Sequence, residues 1–347
     1  MRKSMLVTSL CLIATLLLAA CAPAAPAPPP TEAPAEKMVF TMVTDQAGLG
    51  DQGFNDITWA GLQQAATDFN AEAKVVESTE QAQYVPNLTS LAQEDVNLIV
   101  GVGFLLVDAM QEVASANPDD MFALVDAAVE APNVRGLLFR EQEGSFLGGI
   151  IAGMTTQTNK VGVVGGMEIP PVIRWIAGFE AGVKTANPDA EVLVTYAGTF
   201  TDPAKGKEIA LSQYDQGADV IFEVAGGTGI GAFQAASERG AGVWVFGTDR
   251  CKFDLAPDNA LPDVTKRVDV AVYTTAQAVS KGTFSGGAVT LGLKEGGMGL
   301  CEETYQNISA DIQAKVEAAR EMIIDGTLTP PTTNEELATF APPDLTK

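Results

Sequence analysis

Residues 45–55 combine a carboxylate, an aromatic ring and an amide in the sequence Asp-Gln-Ala-Gly-Leu-Gly-Asp-Gln-Gly-Phe-Asn. The segment follows an apolar run typical of a strand and precedes a helical pattern, which is where open α/β sheets bind their ligands. Asp45 offers a hydrogen-bond acceptor, Phe54 a face for stacking and Asn55 an amide. A purely structural role fits equally well, because Asn55 could cap the helix and Phe54 could pack beneath it.

Three further segments place charged side chains after predicted strands or at the start of a predicted helix. Asp108 follows a strand and two glycines, and it could accept a ligand N–H or only cap the next helix. Asp249 ends the apolar run from Val245. Lys266 begins a helical pattern, where a buried lysine beside a carboxylate could hold hydroxyl groups, whereas an exposed one would belong to a solvated face.

A glycine-rich turn at residues 225–232 allows two interpretations. Its Gly-Thr-Gly-Ile-Gly-Ala sequence satisfies a relaxed dinucleotide-binding pattern, and Asp249 follows about 20 residues later. An NAD-dependent oxidoreductase is therefore a remote alternative. The simpler interpretation is a strand-to-helix turn in which Gly226 and Gly227 let backbone amides approach a ligand closely.

The elements that must position these residues alternate short apolar runs with longer helical patterns, which predicts parallel α/β sheets flanked by helices. The order of strands and helices repeats in two halves, and later elements cross back, so a hinged clamshell of two lobes is expected. We assign lobe 1 to residues 38–155 with a return at about 265–285, and lobe 2 to residues 156–250 with a return at 286–347. The predicted strands are Val39–Thr44, Lys74–Glu77, Leu98–Val102, Phe122–Val125, Arg135–Phe139, Val161–Val164, Glu191–Tyr196, Asp219–Val224 and Val243–Gly247.

Composition excludes several classes of function. The 347 residues include no histidine, which rules out histidine-based catalytic triads and histidine-ligated zinc, although catalysis by paired carboxylates stays open. Twenty-one basic residues against 44 acidic ones give a net charge of −23, which disfavours nucleic acid and anionic membrane surfaces as partners. We expect neither a cofactor nor a metal.

The N-terminus predicts export. Arg2 and Lys3 precede an apolar run that is shorter than the roughly 20 residues needed to span a bilayer, so residues 1–20 are interpreted as a signal peptide. Leu-Ala-Ala-Cys at residues 18–21 resembles the bacterial lipobox, in which the cysteine is lipidated; an ordinary signal peptide is the alternative. Residues 21–37 are rich in alanine and proline and predict an extended tether. Apart from Cys11 in the signal peptide and Cys21, two cysteines remain, Cys251 and Cys301, and in an exported protein they suggest a disulfide.

Five motifs in order resemble the basic membrane protein (BMP) family of lipoproteins, which includes purine nucleoside receptors. They are Asp-Gln-Gly-Phe-Asn at 51–55, Glu-Gly-Ser-Phe-Leu-x-Gly at 143–149, Val-Val-Gly-Gly at 163–166, Ala-Gly-Gly-Thr-Gly at 225–229 and Lys-Arg-Val-Asp-Val-Ala-Val-Tyr at 266–273. The resemblance implies a type I periplasmic-binding-protein-like clamshell. It also implies a substrate-binding lipoprotein of an ABC importer, most often for nucleosides.

The resemblance also implies roles for individual residues. Phe54 and Phe222 would stack on the base, and Asp45, Asn55 and Asp108 would hydrogen-bond its edges. Asp249 and Lys266 would hold the ribose, while Gly226 and Gly227 would admit the ligand closely. The sequence departs from the family after Asp249, where Arg-Cys-Lys-Phe occupies residues 250–253.

From these features we expect an extracytoplasmic receptor, lipid-anchored to the cell membrane, that binds a purine nucleoside between hinged lobes and catalyses no reaction. Its partners would be ABC permease and ATPase subunits, and the protein would be a monomer. A surface sensor with the same fold, or a binder of a different sugar-like solute, is the alternative.

Overall fold

The computed structural model describes residues 37–345. The predicted signal peptide, Cys21 and the tether up to residue 36 lie outside the described residues. Residues 37–345 fall within one compact unit. Within that range no helix is both long enough and apolar enough to cross a bilayer.

Strands and helices alternate through most of the described chain. The strands are β1 Val39–Val43, β2 Glu72–Val76, β3 Leu98–Gly101, β4 Phe122–Val125, β5 Val134–Phe139, β6 Lys160–Gly165, β7 Glu191–Tyr196, β8 Val220–Val224, β9 Trp244–Phe246, β10 Thr248–Asp249, β11 Val264–Lys266, β12 Gly287–Leu291 and β13 Met298–Leu300. The α-helices are α1 Phe54–Asp68, α2 Tyr84–Ala92, α3 Val107–Ala116, α4 Glu141–Thr155, α5 Pro170–Ala186, α6 Pro203–Asp215, α7 Ile230–Arg239, α8 Val268–Ser280, α9 Ala310–Asp325 and α10 Asn334–Thr339.

The first lobe contains a six-stranded parallel sheet in the order β12-β5-β4-β3-β1-β2. Every residue of β3 and β4 is buried, because helices cover both faces of the sheet. Helices α1 and α8 pack on one face, and α2 and α3 pack on the other. Helix α8, which lies within the return assigned to residues 265–285, therefore packs on the first sheet.

The boundary placed at residue 286 needs correction. Strand β12, at Gly287–Leu291, pairs in parallel with β5 and forms the edge of the first sheet. The sequence reasoning missed this strand because its first three residues are exposed, as is usual for an edge, so it lacks the apolar run of a central strand. The chain returns to the second lobe only after Leu291.

The second lobe contains a four-stranded parallel sheet in the order β7-β6-β8-β9. Helices α4 and α5 cover one face, and α6 and α7 cover the other. Later in the chain, α9 packs on α4 and α10 packs on α5, so both helices belong to this lobe. The arrangement agrees with the two flanked parallel sheets expected from the sequence.

Two glycines determine how closely α4 and α5 approach each other. A Cβ atom at Gly149 would lie 2.1 Å from the carbonyl oxygen of Phe179, and one at Gly182 would lie 2.1 Å from that of Phe146. Only hydrogen fits at either position. The small-residue run in α4 thus serves helix packing.

A small third sheet lies where the chain passes between the lobes. Its order is β10-β11-β13, with β11 parallel to β10 and antiparallel to β13. These strands contain only two or three residues each, too few to show a hydrophobic period, and for that reason the sequence did not reveal them. The sheet brings Asp249 and Lys266, at the ends of β10 and β11, to the same region.

Candidate ligand-binding cleft

A cleft opens at the carboxyl ends of the parallel strands of both lobes, the position expected for a ligand in open α/β sheets. It encloses about 610 Å³ of space outside protein atoms, including the solvent at its mouth. Its lining residues are Asp45, Ala47, Asp51, Phe54, Asn55, Gly103, Phe104, Leu105, Asp126, Ile169, Pro171, Val172, Trp175, Phe200, Val224, Gly226, Thr248, Asp249 and Lys266. The lining therefore mixes apolar and aromatic groups with carboxylates, one amide and one ammonium group.

The aromatic groups of the cleft come from both lobes. Phe54 begins α1 in the first lobe, whereas Trp175 on α5 and Phe200, which follows β7, belong to the second. Large flat side chains on both walls suit a flat, apolar-faced ligand.

Phe222 lies in the core instead of the cleft. It is fully buried on β8, and its ring centroid lies 4.8 Å from those of Phe179 and Phe246. Side chains alternate along a strand, and Phe222 points toward α5 and not toward the strand end. Phe200 is, with Phe104 and Trp175, an aromatic lining residue that the sequence reasoning missed. It follows β7 in a Gly-Thr-Phe turn, the same strand-end signal that identified Phe54.

Asp45, Asp51 and Asn55 form one hydrogen-bonded cluster. The Asn55 amide nitrogen donates to Asp45 Oδ1 at 2.9 Å and to Asp51 Oδ2 at 3.1 Å. Asn55 does not cap α1, because Asp51 accepts the backbone N–H groups of Gly53, Asn55 and Asp56 at 2.8–3.2 Å. The amide oxygen of Asn55 is buried and has no hydrogen-bond partner among residues 37–345. The cluster thus presents the Asn55 oxygen and the Asp45 carboxylate as acceptors.

The pKa of Asp45 is raised to about 6, mainly by burial and to a smaller extent by the charges of Asp51 and Asp126, while the hydrogen bonds from Asn55 and from the Ala47 N–H oppose the shift. A raised pKa means that ionising Asp45 in the ligand-free protein costs free energy. A ligand that donates hydrogen bonds to Asp45 would reduce that cost.

Lys266 is almost completely buried and lies between two carboxylates. Its Nζ is 2.6 Å from Asp126 Oδ1 and donates a hydrogen bond to Glu141 Oε1 at 3.0 Å. Glu141 also accepts a hydrogen bond from Arg174 Nε at 2.7 Å. Burial alone would raise the pKa of Glu141, but the charges of Lys266 and Arg174 outweigh it and lower that pKa. Burial alone would likewise lower the pKa of Lys266, and the carboxylates of Asp126 and Glu141 hold it above its usual value.

Asp126 is a further lining residue that the sequence reasoning missed. It comes directly after the fully apolar strand β4, in the same way that Asp249 follows an apolar run. Both residues have left-handed backbone conformations, with φ of 69° for Asp126 and 76° for Asp249. An acid at the end of a buried strand was the available signal.

Asp249 lies on the second-lobe side of the cleft and is 7% exposed. Burial raises its pKa to about 6, against the lowering effect of the Lys252 and Lys266 charges. Lys252 itself is fully buried, and its Nζ donates to Glu223 Oε1 at 2.6 Å. Asp249 therefore offers a desolvated carboxylate beside two ammonium groups.

Most of the residues singled out in the sequence meet in this cleft, and Gly226 is among them. Gly227 lies just behind the lining, where a Cβ would approach the Phe200 carbonyl oxygen to 3.0 Å. Asp108 lies elsewhere: it is exposed in the first turn of α3, because a short 3-10 turn at Phe104–Leu106 separates that helix from the end of β3. Behind Asp249, Cys251 and Cys301 form the disulfide that the sequence suggested, and it joins positions 50 residues apart.

Comparisons with known proteins find relatives over most of the chain. Residues 38–332 match the family model described as Bmp, ABC transporter substrate-binding protein PnrA-like. The chain is 40% identical over 311 residues to the CD4+ T-cell-stimulating antigen of Listeria monocytogenes, covering 84% of this chain and 87% of the relative. It is 34% identical over 311 residues to the ABC transporter nucleoside-binding protein BmpA of Lactococcus lactis, covering 84% and 88%. A solved ABC transporter solute-binding protein from Aeropyrum pernix has 32% identity and a TM-score of 0.81, covering 87% of this chain and 96% of that one.

Proposed function

The chain belongs to the Bmp family of PnrA-like ABC transporter substrate-binding proteins, and we propose that it binds a nucleoside, preferably a purine nucleoside, in the cleft between its lobes. As a member of this family it binds a small molecule outside the cytoplasm and serves a transporter, and it is not an enzyme. The observation that carries the nucleoside proposal is the cleft itself, which combines aromatic walls from both lobes with acceptor-rich edges. The similarity to a nucleoside-binding relative adds support.

At the base end, Phe54 and Phe200 would pack against the two faces of the ring system. Offset stacking on such side chains contributes about 0.5–1.5 kcal/mol per pair beyond simple burial. Asp45 and the free amide oxygen of Asn55 would accept hydrogen bonds from ring or exocyclic N–H groups. A two-ring base covers more of the aromatic walls than a one-ring base, which favours purines.

At the sugar end, Asp249 would accept hydrogen bonds from ribose hydroxyls and Lys266 Nζ would donate one. Both groups are buried, so each hydrogen bond would form with a charged partner in a site shielded from water. Such bonds contribute about 1.5–3 kcal/mol. An unmodified ribose should therefore bind more tightly than a 2′-deoxyribose.

The charge balance of the cleft argues against nucleotides. Asp45, Asp51, Asp126 and Asp249 line it, while Lys266 is its cation among the lining residues. The Lys266 charge already faces Asp126 and Glu141. A phosphate would enter a site with excess negative charge, and we expect exclusion of the nucleotide.

Isothermal titration calorimetry tests the proposal with the tether-free chain, residues 37–347. Guanosine, adenosine, inosine, cytidine and uridine should be compared with ribose, free adenine and an amino acid panel. We expect heat with the purine nucleosides and weaker heat with pyrimidine nucleosides. The absence of heat with every nucleoside, together with binding of a free sugar, would overturn the ligand assignment and leave the family assignment intact.

We further propose that Cys21 is lipidated after removal of residues 1–20 and that the monomeric receptor remains at the membrane through its tether. The lipobox-like sequence and the proline-rich segment support this. Mass spectrometry of the N-terminal peptide should find acyl groups on Cys21. Release of a Cys21→Ser variant into the soluble fraction is the expected consequence, and unchanged membrane association of that variant would contradict the proposal.

A further inference from the structure

Arg250 connects the two walls of the cleft. Its Nε donates to the backbone carbonyl oxygen of Gln52 at 2.6 Å, and its Nη2 donates to Gln52 Oε1 at 3.1 Å. The two residues are 198 positions apart in the sequence. Gln52 belongs to the loop between β1 and α1 in the first lobe, whereas Arg250 follows β10 on the side of the second lobe.

Each partner is adjacent in sequence to residues that line the cleft. Gln52 follows Asp51 and is separated from Phe54 only by Gly53, while Arg250 directly follows Asp249. The two loops also touch here, because a Cβ atom at Gly53 would lie 3.2 Å from Asp249 Oδ2. Separation of the lobes on this side of the cleft would therefore require the Arg250–Gln52 hydrogen bonds to break.

The Gln52 side of this contact is held firmly within the first lobe. Asp56 accepts hydrogen bonds from the backbone N–H groups of Gly50 at 2.8 Å and Gln52 at 3.0 Å. Gln52 itself has a left-handed backbone with φ of 53°, which directs its carbonyl oxygen and side chain to the same arginine. The acceptor pair is thus pre-positioned.

The Arg250 side is held just as firmly to the second lobe. The next residue, Cys251, is in the disulfide with Cys301. The residue after it, Lys252, is buried against Glu223 on β8 and donates its backbone N–H to Asp263 at 2.7 Å. The backbone next to Arg250 is therefore fixed, and Arg250 Nη1 also donates to the Cys251 carbonyl oxygen at 2.6 Å, so few side-chain rotations are lost when the guanidinium group bonds to Gln52.

We propose that Arg250 is a latch that retains the ligand: its hydrogen bonds to Gln52 hold the lobes together beside the bound molecule and slow its release. The proposal rests on the proposed nucleoside binding for its kinetic test. The latch does not contact the ligand, so it would affect every ligand that the cleft accepts. Its main effect would be on dissociation, because the bonds that link the lobes must break before release.

Stopped-flow fluorescence can measure the dissociation rates of guanosine and adenosine, because Trp175 lines the cleft and should respond to the ligand. Arg250→Gln should dissociate about tenfold faster, since two hydrogen bonds from a charged group are lost. Arg250→Lys, which keeps the charge on a single donor nitrogen, should lie between this variant and the wild type. The matched control is Arg239→Gln, an arginine of similar side-chain exposure (36% against 30%) that pairs with Asp215 within the second lobe.

A double-mutant comparison separates a latch from a general structural effect. Gln52→Gly suits the positive φ and removes only the side-chain acceptor, so it should raise the dissociation rate about threefold. In the Arg250→Gln background the same change should have no further effect. Additive effects, or a dissociation rate for Arg250→Gln equal to that of the wild type, would overturn the latch.

Hydrogen exchange of the unliganded protein gives a test that does not need a ligand. Backbone amides of residues 51–56 should exchange faster in Arg250→Gln than in the wild type, and Arg239→Gln should leave them unchanged. If the wild type binds no nucleoside, the proposed function fails, and this exchange experiment alone decides the latch. Equal exchange in Arg250→Gln and the wild type would overturn it.

Discussion

Replacing Asp249 with asparagine should stabilise the unliganded protein and weaken ligand binding at the same time. Burial raises the pKa of this carboxyl from 3.8 to about 6. A pKa difference of about 2 corresponds to about 3 kcal/mol, which is the cost of keeping the ionised carboxylate in the folded protein at neutral pH. Asparagine has the same shape without the charge, so Asp249→Asn should gain as much as about 3 kcal/mol in its free energy of unfolding at pH 7.

The sign of the pH dependence follows from the raised pKa. Below pH 4 the wild-type carboxyl is protonated in both the folded and the unfolded protein, and it imposes no cost. As the pH rises from about 4 to about 6, the carboxyl ionises in the unfolded protein while the folded protein still holds its proton, so wild-type stability falls over that interval and levels off above it. The advantage of Asp249→Asn should therefore be near zero below pH 4 and should reach its full size above pH 6.

Urea unfolding between pH 3.5 and 7.5 measures this difference, and calorimetry with guanosine measures the loss of binding. Loss of a hydrogen bond to a buried carboxylate should weaken guanosine binding by about 1.5–3 kcal/mol, or roughly 10- to 100-fold. Asp108→Asn, at an exposed position outside the cleft, is the matched control and should change neither property. If Asp249→Asn shows the same pH profile as the wild type and binds guanosine equally well, the assignment of Asp249 to the binding site is wrong.

Three further predictions test the cleft and its surroundings. Phe200→Ala should weaken guanosine binding by about 1–2 kcal/mol and leave the free energy of unfolding nearly unchanged. Phe222→Ala should lower the free energy of unfolding by about 3–5 kcal/mol. Calorimetry and urea titration of both variants distinguish a cleft residue from a core residue. Guanosine monophosphate should bind at least tenfold more weakly than guanosine by calorimetry, and equal affinity would contradict the charge argument. Replacing Cys251 and Cys301 together with serine should destabilise the fold by up to about 4 kcal/mol, the loop-closure value for a span of 50 residues, measured as a lower urea midpoint; an unchanged midpoint would show that the disulfide has no stabilising role.

The central strands were predictable because their sequences are nearly continuous apolar runs. Phe122–Val125 begins and ends as predicted, since helices on both faces of its sheet require that composition. The edge strand β12 and the short strands of the third sheet were not predictable. Their positions depend on pairing with distant segments, such as β12 with β5, and not on a local pattern.

The candidate site was predictable as a set of strand ends but not residue by residue. A strand end is visible in the sequence. The face of the strand on which an aromatic ring lies depends on register, and for this reason Phe222 was assigned to the wrong face. Asp108 shows a related limit: a single 3-10 turn is enough to move a side chain out of the cleft. Latch contacts such as Arg250 with Gln52 join residues from different lobes, and one sequence holds no local signal for them.

Two residues whose placement is unfavourable for stability, Asp126 and Asp249, are the most informative about function in this chain. Asp126 and Asp249 are buried acids with left-handed backbones, a combination that is unfavourable for stability in two separate ways. They come from different lobes. The charge of each raises the pKa of Lys266, which lies on β11 between the lobes. Lys266 thus offsets part of the cost of both acids, while burial still raises the pKa of each. A ligand with several hydrogen-bond donors would offset the remaining cost of ionising the two acids. It would do so only when both lobes contact it. The unfavourable placement of these acids in the empty protein is therefore a physical reason for ligand binding to favour the closed form.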